Sequence, residues 1–512
     1  MPLKSVKSPN LRAVHKVAAA RPAGHRHGHP SAVRGIAEPV ASRASSRDSS
    51  ARPEHAEERK ALLIAYHFAP SSSVGAQRSM RFARYLPDHG WRPVVLTIRL
   101  EDLGRYASDE RPGAASTVVR RARVLKPFEV TGEWIKGLFQ RGSQQRSPEG
   151  SSDRADSAKG GIRQLSTLGR FRHWVELWMA TPDNAIGWCL PAIWAGWQVV
   201  RQEKPAVLYT SGPPHSAHLV GLALKWITGL PWIADFRDPW TRRPWLASDL
   251  KRGPRYRLQQ LLEQLVMRHC DRLVANTEPM AVDFRDCWQL PAAKCVAITN
   301  GYDPKALPPR SLGPAPTRAP FTITHTGALY RRRDPRPLLR AIAMLRDRGV
   351  IRAGELLVNL TGHIDEQFRA QDVVRQLELD EFVSLNPPVT HAESCQALAR
   401  SHVLLVIQPD THLQVPGKLF EYVFFQRPIL ALTGPGATAD LVRRYGLGLV
   451  VPADQAEAIA EAVADLHARF KQGSFADQGF SRALEAFHGE RLTEQLATVF
   501  NDAVMTKGVH AD

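Results

Sequence analysis

The stretch ALLIAYHFAPSSSVGAQRSMRFARYLPDHGWRPVVLTI, residues 61–98, predicts a parallel β-sheet in the first half of the chain. It opens with a strand at Ala61–Phe68, whose unbroken apolar run is typical of a strand buried on both faces. A polar loop follows, and then a helix through Met80–His89 that ends at Gly90, a residue type favoured after a helix. The next strand lies at Trp91–Ile98. Strand, helix and strand together predict a βαβ unit.

The same alternation continues along the chain. In the first half, further strands that lead into polar loops are predicted at Pro205–Ser216, Leu230–Trp240, Cys270–Glu278 and Cys295–Asp303. A second series opens with FTITHTG at Phe321–Gly327 and runs on to a helix that starts at Ala437. This alternation predicts an α/β protein with two Rossmann-like, doubly wound parallel sheets. Ligands bind such sheets at the carboxyl ends of the strands, where the polar loops fall.

Composition divides the 512 residues into a tail, two domains and a final helix. Residues 1–58 have too few large apolar side chains to offset the entropy cost of ordering, so we predict a disordered basic extension. We expect an N-terminal Rossmann-like domain at 59–307, with a flexible insertion at about 104–172 that lacks strand periodicity. A C-terminal Rossmann-like domain follows at 308–490, and the helix and tail at 491–512 are expected to pack back on the N-terminal domain.

The chain carries 68 Lys and Arg against 50 Asp and Glu, a formal net charge of +18. This excess favours phosphate-bearing partners or an anionic membrane surface. No helix-turn-helix, zinc-finger or RNP pattern occurs, so a nucleic-acid partner is not predicted. The five cysteines lack paired spacing, which argues against disulfides and a zinc site and predicts a cytoplasmic protein. The sequence has no apolar run long enough to span a bilayer.

Two segments at the edges of the insertion place large apolar residues at helical spacing, with arginines between those of the second. They are Trp134–Phe139 and Ile162–Trp178. An aromatic face bordered by arginines suits the membrane interface, which would place the protein peripherally at the inner face of the membrane. The alternative is a helix that packs its apolar face on the domain, and the sequence leaves both open.

The string PGKLFEY, Pro416–Tyr422, predicts an anion site at a helix start. Free backbone N–H groups and the helix dipole favour phosphate there, and Lys418 adds a positive charge. Glu421, one turn further on, offers a carboxylate that accepts hydrogen bonds from a pair of sugar hydroxyls. The alternative is that Lys418 and Glu421 form a surface pair at i,i+3 spacing.

Two glycine turns accompany this string. HTGALYRRRDP places Gly327 before three arginines, and guanidinium forks match diphosphate oxygens. We expect one or two of the arginines in the run 331–333 to reach the phosphates, with Arg332 and Arg333 as the candidates. LTGPGATADLV places Gly434 at another helix start, where the backbone of a glycine can approach a ligand closely.

The N-terminal half has its own polar loops. SSSVGAQR, with Gly75 and Arg78, is predicted to face the cleft where an acceptor would lie, and His215 of SGPPHS is a second candidate there.

The segment ADFRDPW concentrates Asp235, Arg237 and Asp238 at the end of a predicted strand. Two carboxylates beside an arginine are suited to acid–base catalysis or to orienting an acceptor. A structural ion-pair cluster is the alternative.

At these residues the chain resembles glycosyltransferase family 4, retaining enzymes of the GT-B fold. The resemblance is carried by YHFAPSSSVGAQRSMRFARYLPDHGW, YTSGPPHSAHLVGL, WIADFRDPW, VANTE, NGYD, HTGALYRRRDP and GKLFEYVFFQRPILALTGPG, in this order. It implies two Rossmann-like domains facing each other across a cleft, with a nucleotide-sugar donor held by the second.

The resemblance also implies roles for single residues. Glu421 matches the second glutamate of the family's E-x7-E motif, expected on the ribose, while Lys418 and an arginine of the run 331–333 match the diphosphate-binding pair. Gly75 matches the glycine loop near the acceptor. The base is expected against the backbone of Pro388 and Val389.

Two positions depart from the family pattern. Leu413 stands where the motif has its first glutamate, which bears on recognition of the donor sugar. Many relatives carry a histidine in the loop that here reads DFRD, so that either Asp235 or Asp238 takes its role or neither residue does.

The family scheme is front-face attack assisted by the leaving phosphate, without a metal ion or other cofactor. The function implied is transfer of a sugar, with retention, from a nucleotide-sugar to a lipid-linked or glycan acceptor in surface polysaccharide or lipopolysaccharide synthesis. The alternatives are a nucleotide-sugar epimerase of the same fold, a non-catalytic sugar-nucleotide-binding scaffold and a nucleic-acid binder driven by charge.

Overall fold

A computed structural model describes residues 59–71, 73–104, 117–125, 181–243, 253–308, 320–409, 411–473 and 479–509. The predicted extension at 1–58 and the aromatic segments Trp134–Phe139 and Ile162–Trp178 lie outside the described residues.

The first half forms a seven-stranded sheet in which every neighbouring pair is parallel. Its strands are β1 (Arg59–Ala65), β2 (Trp91–Ile98), β3 (Val118–Ala122), β4 (Val207–Gly212), β5 (Trp232–Phe236), β6 (Arg272–Ala275) and β7 (Cys295–Ala297). They lie in the order β3-β2-β1-β4-β5-β6-β7. The central strand β1 is buried from Ala61 to Ala65, which explains its unbroken apolar run.

Helices cover both faces of this sheet. They are α1 (Val74–Tyr85), α2 (Cys189–Glu203), α3 (Ser216–Thr228), α4 (Pro254–His269) and α5 (Glu278–Trp288). Helices α2 to α5 bury their apolar residues in one core, and α1 contributes to a second core on the opposite face. A short 3-10 turn, Leu86–His89, continues α1 as far as Gly90, whose φ of +77° is the left-handed conformation expected there.

The second half forms a six-stranded parallel sheet in the order β10-β9-β8-β11-β12-β13. Its strands are β8 (Phe321–Thr326), β9 (Leu356–Thr361), β10 (Val383–Asn386), β11 (Val403–Ile407), β12 (Ile429–Leu432) and β13 (Gly448–Val451). Its helices are α6 (Arg336–Asp347), α7 (Ala370–Gln376), α8 (His391–Arg400), α9 (Gly417–Phe425), α10 (Ala437–Arg444), α11 (Ala456–Lys471) and α12 (Phe480–Ala486). The predicted α/β class with two doubly wound sheets is confirmed.

In each sheet the order of the strands changes direction between two neighbouring inner strands. Chain order runs outward in opposite directions from β1 and β4 in the first sheet, and from β8 and β11 in the second. Helices diverge at such a point and leave a crevice at the carboxyl ends of the strands. The loops after these four strands therefore border a crevice in each half, and they carry many of the predicted site residues.

The prediction that 104–172 lacks strands is wrong at β3. This edge strand reads VVRRA, and its arginines hid it, because a basic sequence is not typical of a buried strand. Arg121 donates hydrogen bonds to the carbonyl oxygens of Ile98 and Ala69, at 2.9 and 2.7 Å. The charged side chain thus satisfies carbonyl groups at the carboxyl ends of the two nearest strands, the last residue of β2 and the loop after β1.

The last helix, α13 (Gly489–Val509), returns to the N-terminal sheet. Leu492, Leu496 and Phe500 belong to the same core as α1. Where the chain crosses back, the amide of Tyr302 donates to the carbonyl of Phe487 at 3.1 Å, so the two connections between the halves touch. No helix within the described ranges is long and apolar enough to cross a membrane.

We predict that Phe500→Ala lowers the free energy of unfolding by about 3–5 kcal/mol, because it empties a space in the core between α13 and the sheet. The Phe500 ring is fully buried and contacts Trp91 and Tyr209, with centroid distances of 5.3 and 5.9 Å. Urea denaturation measures the change. Met505→Ala on the same helix is the control, since Met505 is 59% exposed and its loss should cost little. Equal stability of the two variants would contradict the packing of α13.

Candidate functional site

Lys418 lies at the start of α9, against the end of β8. Its ammonium Nζ donates to the carbonyl of Thr326 at 2.8 Å and lies 3.1 Å from Nε2 of His325. Gly327 has a φ of +112°, and a Cβ there would come within 2.9 Å of this ammonium. A side chain at 327 would therefore displace the lysine, so the two predicted residues belong to one arrangement.

His325 contacts Lys418 from the interior of the domain. The ring is fully buried, and its Nδ1 lies 3.0 Å from the carbonyl of Leu405. Burial and the charge of Lys418 keep the pKa of His325 well below its ordinary value, so the ring is neutral. Nδ1 therefore carries the proton that is donated to Leu405, and Nε2 accepts a hydrogen bond from Lys418.

The charge of Lys418 is itself finely balanced. Burial and the nearby Arg333 lower the pKa of Lys418 to about 7, while Glu421 acts in the opposite direction. Two of the three ammonium protons have protein acceptors, Thr326 and His325. The third proton is the one that an incoming anion can use.

Glu421 pairs with a residue that the sequence did not single out. Its carboxylate Oε1 lies 3.5 Å from Nε2 of His391, at the start of α8. Hydrogen bonds to the Cys395 thiol and to Glu421 raise the pKa of His391, so its ring is positively charged at neutral pH. The surface pair between Lys418 and Glu421 that the spacing allowed is not the arrangement observed.

The three arginines after Gly327 separate. Arg333 donates from Nε to Oε1 of Gln408 at 3.0 Å, and its guanidinium lies 5.0 Å from the centroid of the Tyr330 ring. Its charge is close enough to Lys418 to lower the pKa of the lysine. Arg331 and Arg332 are exposed and line a cavity of about 430 Å³.

Gly434 lines the same cavity. A side chain at 434 would meet open space, so no contact with a described residue requires a glycine there. Gly436 has a φ of +138°, and a Cβ there would lie 2.6 Å from Cα of His412. Pro388 and Val389, the predicted base contacts, follow β10 and are exposed.

Asp235 lies inside the N-terminal half. It is fully buried at the end of β5, where Arg78 of α1 donates two hydrogen bonds of 2.8 Å and the Tyr209 hydroxyl donates one of 2.6 Å. Burial by itself raises the pKa of Asp235, but the Arg78 guanidinium overcomes this and holds it below its ordinary value. The alternative of a structural ion pair therefore describes Asp235 and Arg78, which were predicted as a catalytic and an acceptor-side residue.

Arg237 and Asp238 lie nearer the cleft. The Arg237 guanidinium covers the start of α1, where a Cβ at Gly75 would lie 2.6 Å from its Nη1, and it donates to the carbonyl of Pro213. The Asp238 carboxylate accepts a hydrogen bond from Nε2 of Gln414, a residue of the C-terminal half. Asp238 thus lies at the boundary between the halves, while the contacts of Arg237 are with Gly75 and Pro213 of its own half.

Leu413, the departure from the family motif, also bridges the halves. Its carbonyl accepts a hydrogen bond of 2.6 Å from the Thr277 hydroxyl at the start of α5. Its side chain packs against the N-terminal core. The position that holds a glutamate in the motif therefore serves here as an apolar contact between domains.

His215 lies beneath the cleft rather than in it. The ring is fully buried and stacks on Trp240, with centroids 4.8 Å apart and planes 3° from parallel. Its two ring nitrogens have no hydrogen-bond partner within the described part of the chain. Burial and the charge of Arg243 keep the pKa of His215 well below its ordinary value, so the ring is a neutral support for Trp240.

The sequence of the N-terminal half matches a known protein family. Residues 74–301 match the family model described as a glycosyl transferase 4-like domain. This part of the chain is similar to that family. The predicted resemblance to glycosyltransferase family 4 is confirmed there. The matched residues include Gly75, Arg237 and Asp238, so the domain supplies the N-terminal side of the cleft.

One curated relative of the chain is the D-inositol 3-phosphate glycosyltransferase of Kineococcus radiotolerans. The two are 30% identical over 156 residues. The match spans 28% of this chain and 36% of that enzyme, or about a third of the relative's length.

Solved structures resemble almost the whole described fold. Sucrose-phosphate synthase from Thermosynechococcus elongatus is 15% identical with a TM-score of 0.60, and the match covers 88% of this chain and all of the other. HepE of Anabaena in complex with UDP-glucose is 13% identical with a TM-score of 0.53, and covers 87% of this chain and all of the other. These matches confirm the predicted GT-B fold.

The sequence missed three residues of the cleft. His325 stood in the quoted HTG string, where a histidine in a buried strand just before a glycine turn was the available signal. His391 and Gln414 gave no local signal, because their partners lie in other elements of the chain. No group of three or more residues suited to hold a metal ion occurs among those described.

We predict that Asp235→Ala lowers the free energy of unfolding by about 3–5 kcal/mol, because it leaves the buried Arg78 guanidinium without its partner. Chemical denaturation measures the loss. Asp286→Ala is the control, because Asp286 is 67% exposed and pairs with Arg285 at the surface, where removal costs less than about 0.5 kcal/mol. A stable Asp235→Ala protein without turnover would instead give Asp235 a chemical role.

Proposed function

We propose that the protein is a glycosyltransferase that moves a sugar, with retention, from a nucleotide-sugar to a lipid-linked or glycan acceptor. The observation that carries the proposal is the placement of Lys418 against Gly327, with Arg333 beside it and Glu421 one turn further along α9. This group lies at the switch point of the second sheet, where nucleotides bind in such folds.

The donor is held by charge and by hydrogen bonds. Lys418 and Arg333 face the diphosphate, with Arg332, Gly327 and Gly434 at its edges, and the free N–H groups at the start of α9 add to the attraction. Glu421 accepts from the ribose hydroxyls, and the base lies against Pro388 and Val389. The UDP-glucose bound to HepE, a protein of the same fold, supports a nucleotide-sugar as donor.

Transfer breaks the bond between the sugar C1 and the diphosphate oxygen and forms a bond between C1 and the acceptor oxygen. In front-face attack, the acceptor proton passes to the departing diphosphate, so no protein nucleophile is required. Lys418 and Arg333 stabilise the negative charge that grows on the leaving group, and we expect no metal ion to be needed. Arg237 and Asp238 orient the acceptor from the opposite side of the cleft.

The acceptor and the pathway are inferred from the curated relative and from the charge of the chain. The name of the curated relative, a glycosyltransferase acting on an inositol phosphate, supports a phosphate-bearing acceptor class. The net charge of +18 supports peripheral binding to the inner face of a membrane, and the cysteines without paired spacing support a cytoplasmic protein. Surface polysaccharide or lipopolysaccharide synthesis is the process in which such an enzyme meets a lipid-linked acceptor.

A panel of nucleoside diphosphates and nucleotide-sugars, scored by thermal shift and then by turnover, tests the proposal. A ligand at about one hundred times its Kd stabilises the protein by roughly 2.7 kcal/mol. Consumption of a nucleotide-sugar only in the presence of an acceptor indicates a transferase, and isomerisation without one indicates an epimerase. Tight binding with no turnover indicates the scaffold.

We predict that Glu421→Ala abolishes turnover while the protein remains folded, because the nucleotide loses its ribose acceptor and His391 loses its partner. Turnover is measured with the panel member that binds best, and folding by circular dichroism. Glu461→Ala is the matched control, an exposed glutamate in α11 of the same half, and should keep wild-type activity. Full activity of Glu421→Ala would remove the site assignment.

Donor binding should weaken as the pH rises through the pKa of Lys418, about 7. The ammonium that attracts the diphosphate is present below this pH and is lost above it, so Kd rises towards about tenfold per unit at higher pH. Calorimetry with UDP-glucose between about pH 6 and 9 measures the slope, since its diphosphate does not titrate in this range. Lys418→Arg should flatten the profile, because a guanidinium stays charged. An identical slope in that variant would contradict the role of Lys418.

A further inference from the structure

Three helices of the N-terminal half, α2, α3 and α4, cover one face of its sheet. Their inward residues share a single core, and Gly196 of α2 lies against Leu224 of α3. The Trp226 ring of α3 meets the His269 ring of α4 at 5.4 Å. The outward sides of the three helices therefore form one continuous surface, here called the α2–α4 surface.

This surface exposes large apolar side chains at positions where a helix that faces water normally carries polar ones. They are Leu190 (72% exposed) and Trp194 (60%) on α2, Trp226 (59%) and Ile227 (55%) on α3, and Leu261 (52%) on α4. On α2 the spacing of Leu190, Trp194 and Trp197 places them in one stripe, and the two tryptophan rings lie 5.2 Å apart. Five such residues on three adjacent helices form a patch that calls for a partner.

The exposed charged residues on and beside the three helices are basic, and Asp271, just after α4, pairs with Lys225 of α3. Arg201, Lys204, Arg257 and Arg268 are exposed.

The two acidic side chains of these three helices are both engaged. Glu203 binds Lys60 at 3.0 Å, and Glu263 is fully buried and accepts from Thr241. Arg201 lies over the Trp197 ring at 4.9 Å, at the end of the α2 stripe.

We propose that the α2–α4 surface docks on an anionic lipid bilayer. Indole rings prefer the boundary between headgroups and acyl chains, and each basic residue near an anionic membrane adds attraction. The arrangement of apolar residues with basic residues around them is that of an interfacial helix, here repeated over three helices. A second copy of the chain is a poorer occupant, because its own basic surface would repel this one.

The position of the surface fits the cleft chemistry. The stripe begins at Leu190, one residue after Cys189, whose thiol lies 3.4 Å from the carbonyl of Ser216 at the start of α3. Helix starts on this sheet lie at the carboxyl edge of its strands, the edge that carries Arg237 and Asp238. A bilayer at the α2–α4 surface would thus present a lipid-linked acceptor beside the cleft. The identity of that acceptor rests on the proposed function.

Co-sedimentation of the full chain with vesicles tests the docking. Vesicles of phosphatidylcholine with about 30% phosphatidylglycerol should bind the wild type at least about tenfold better than phosphatidylcholine alone. The apolar variant Trp194→Ser with Trp226→Ser should lose about tenfold in binding to the anionic vesicles. The basic variant Arg201→Gln with Arg268→Gln should lose about fivefold per residue at low salt, and less at high salt.

The matched control is Val350→Ser with Met505→Ser, apolar residues that are 40% and 59% exposed in the C-terminal half and on α13, which packs on the opposite face of the sheet, and it should bind as wild type. Wild-type binding by the apolar variant would overturn the proposal, as would equal binding to neutral and anionic vesicles. A wild-type dimer in sedimentation equilibrium that the apolar variant loses would show that a second copy is the partner.

The UDP-glucose thermal shift, measured without vesicles, should be the same in all variants. If vesicle binding depends on the α2–α4 surface but no donor is turned over, only the proposed function is contradicted. Turnover with vesicle binding that ignores the surface would sink the docking alone.

Discussion

In the C-terminal half, the candidate site depends on the amine of one half-buried lysine. Lys418 is held by the carbonyl of Thr326 and by the neutral ring of His325, and that ring is fixed in turn by Leu405 of the neighbouring strand. The conformation of Gly327 leaves the space that the amine occupies. The start of α9 is therefore tied to the ends of β8 and β11, the two strands that flank the switch point. A binding charge is thus set by the backbone of the sheet, and its position does not depend on flexible surface loops.

The opposite wall of the cleft is built differently. The buried pair of Arg78 and Asp235 joins α1 to β5, and Arg78 also donates to the carbonyl of Ile298 beyond β7. This pair supports the loop that carries Arg237 and Asp238 without itself reaching the cleft. Charge in the N-terminal half therefore has two tasks, internal cross-linking and presentation at the surface, and adjacent residues of one short motif divide them.

The sequence predicted the features that depend on local pattern. Continuous apolar runs located the central strands, because strands buried on both faces need them, and the helix start at Lys418 followed from its glycine and lysine. Features that depend on partners far along the chain were missed. Asp235 and Arg78 are 157 residues apart, and the DFRD string alone suggested Arg237 as the partner. The contact of Leu413 with Thr277 joins two domains, and the edge strand β3 was hidden by its arginines.

The return of α13 to the N-terminal sheet means that the chain passes between the halves twice. The two passages touch where the amide of Tyr302 donates to Phe487, and Tyr302 also donates from its hydroxyl to Leu484. Two adjacent passages act as the two leaves of a hinge, so rotation about the line through them is the motion that the covalent chain resists least. The hydrogen bonds of Leu413 and Gln414 across the cleft would have to part if the halves turned about this line. Entry of a nucleotide into the cleft would then require that Asp238 and Gln414 separate.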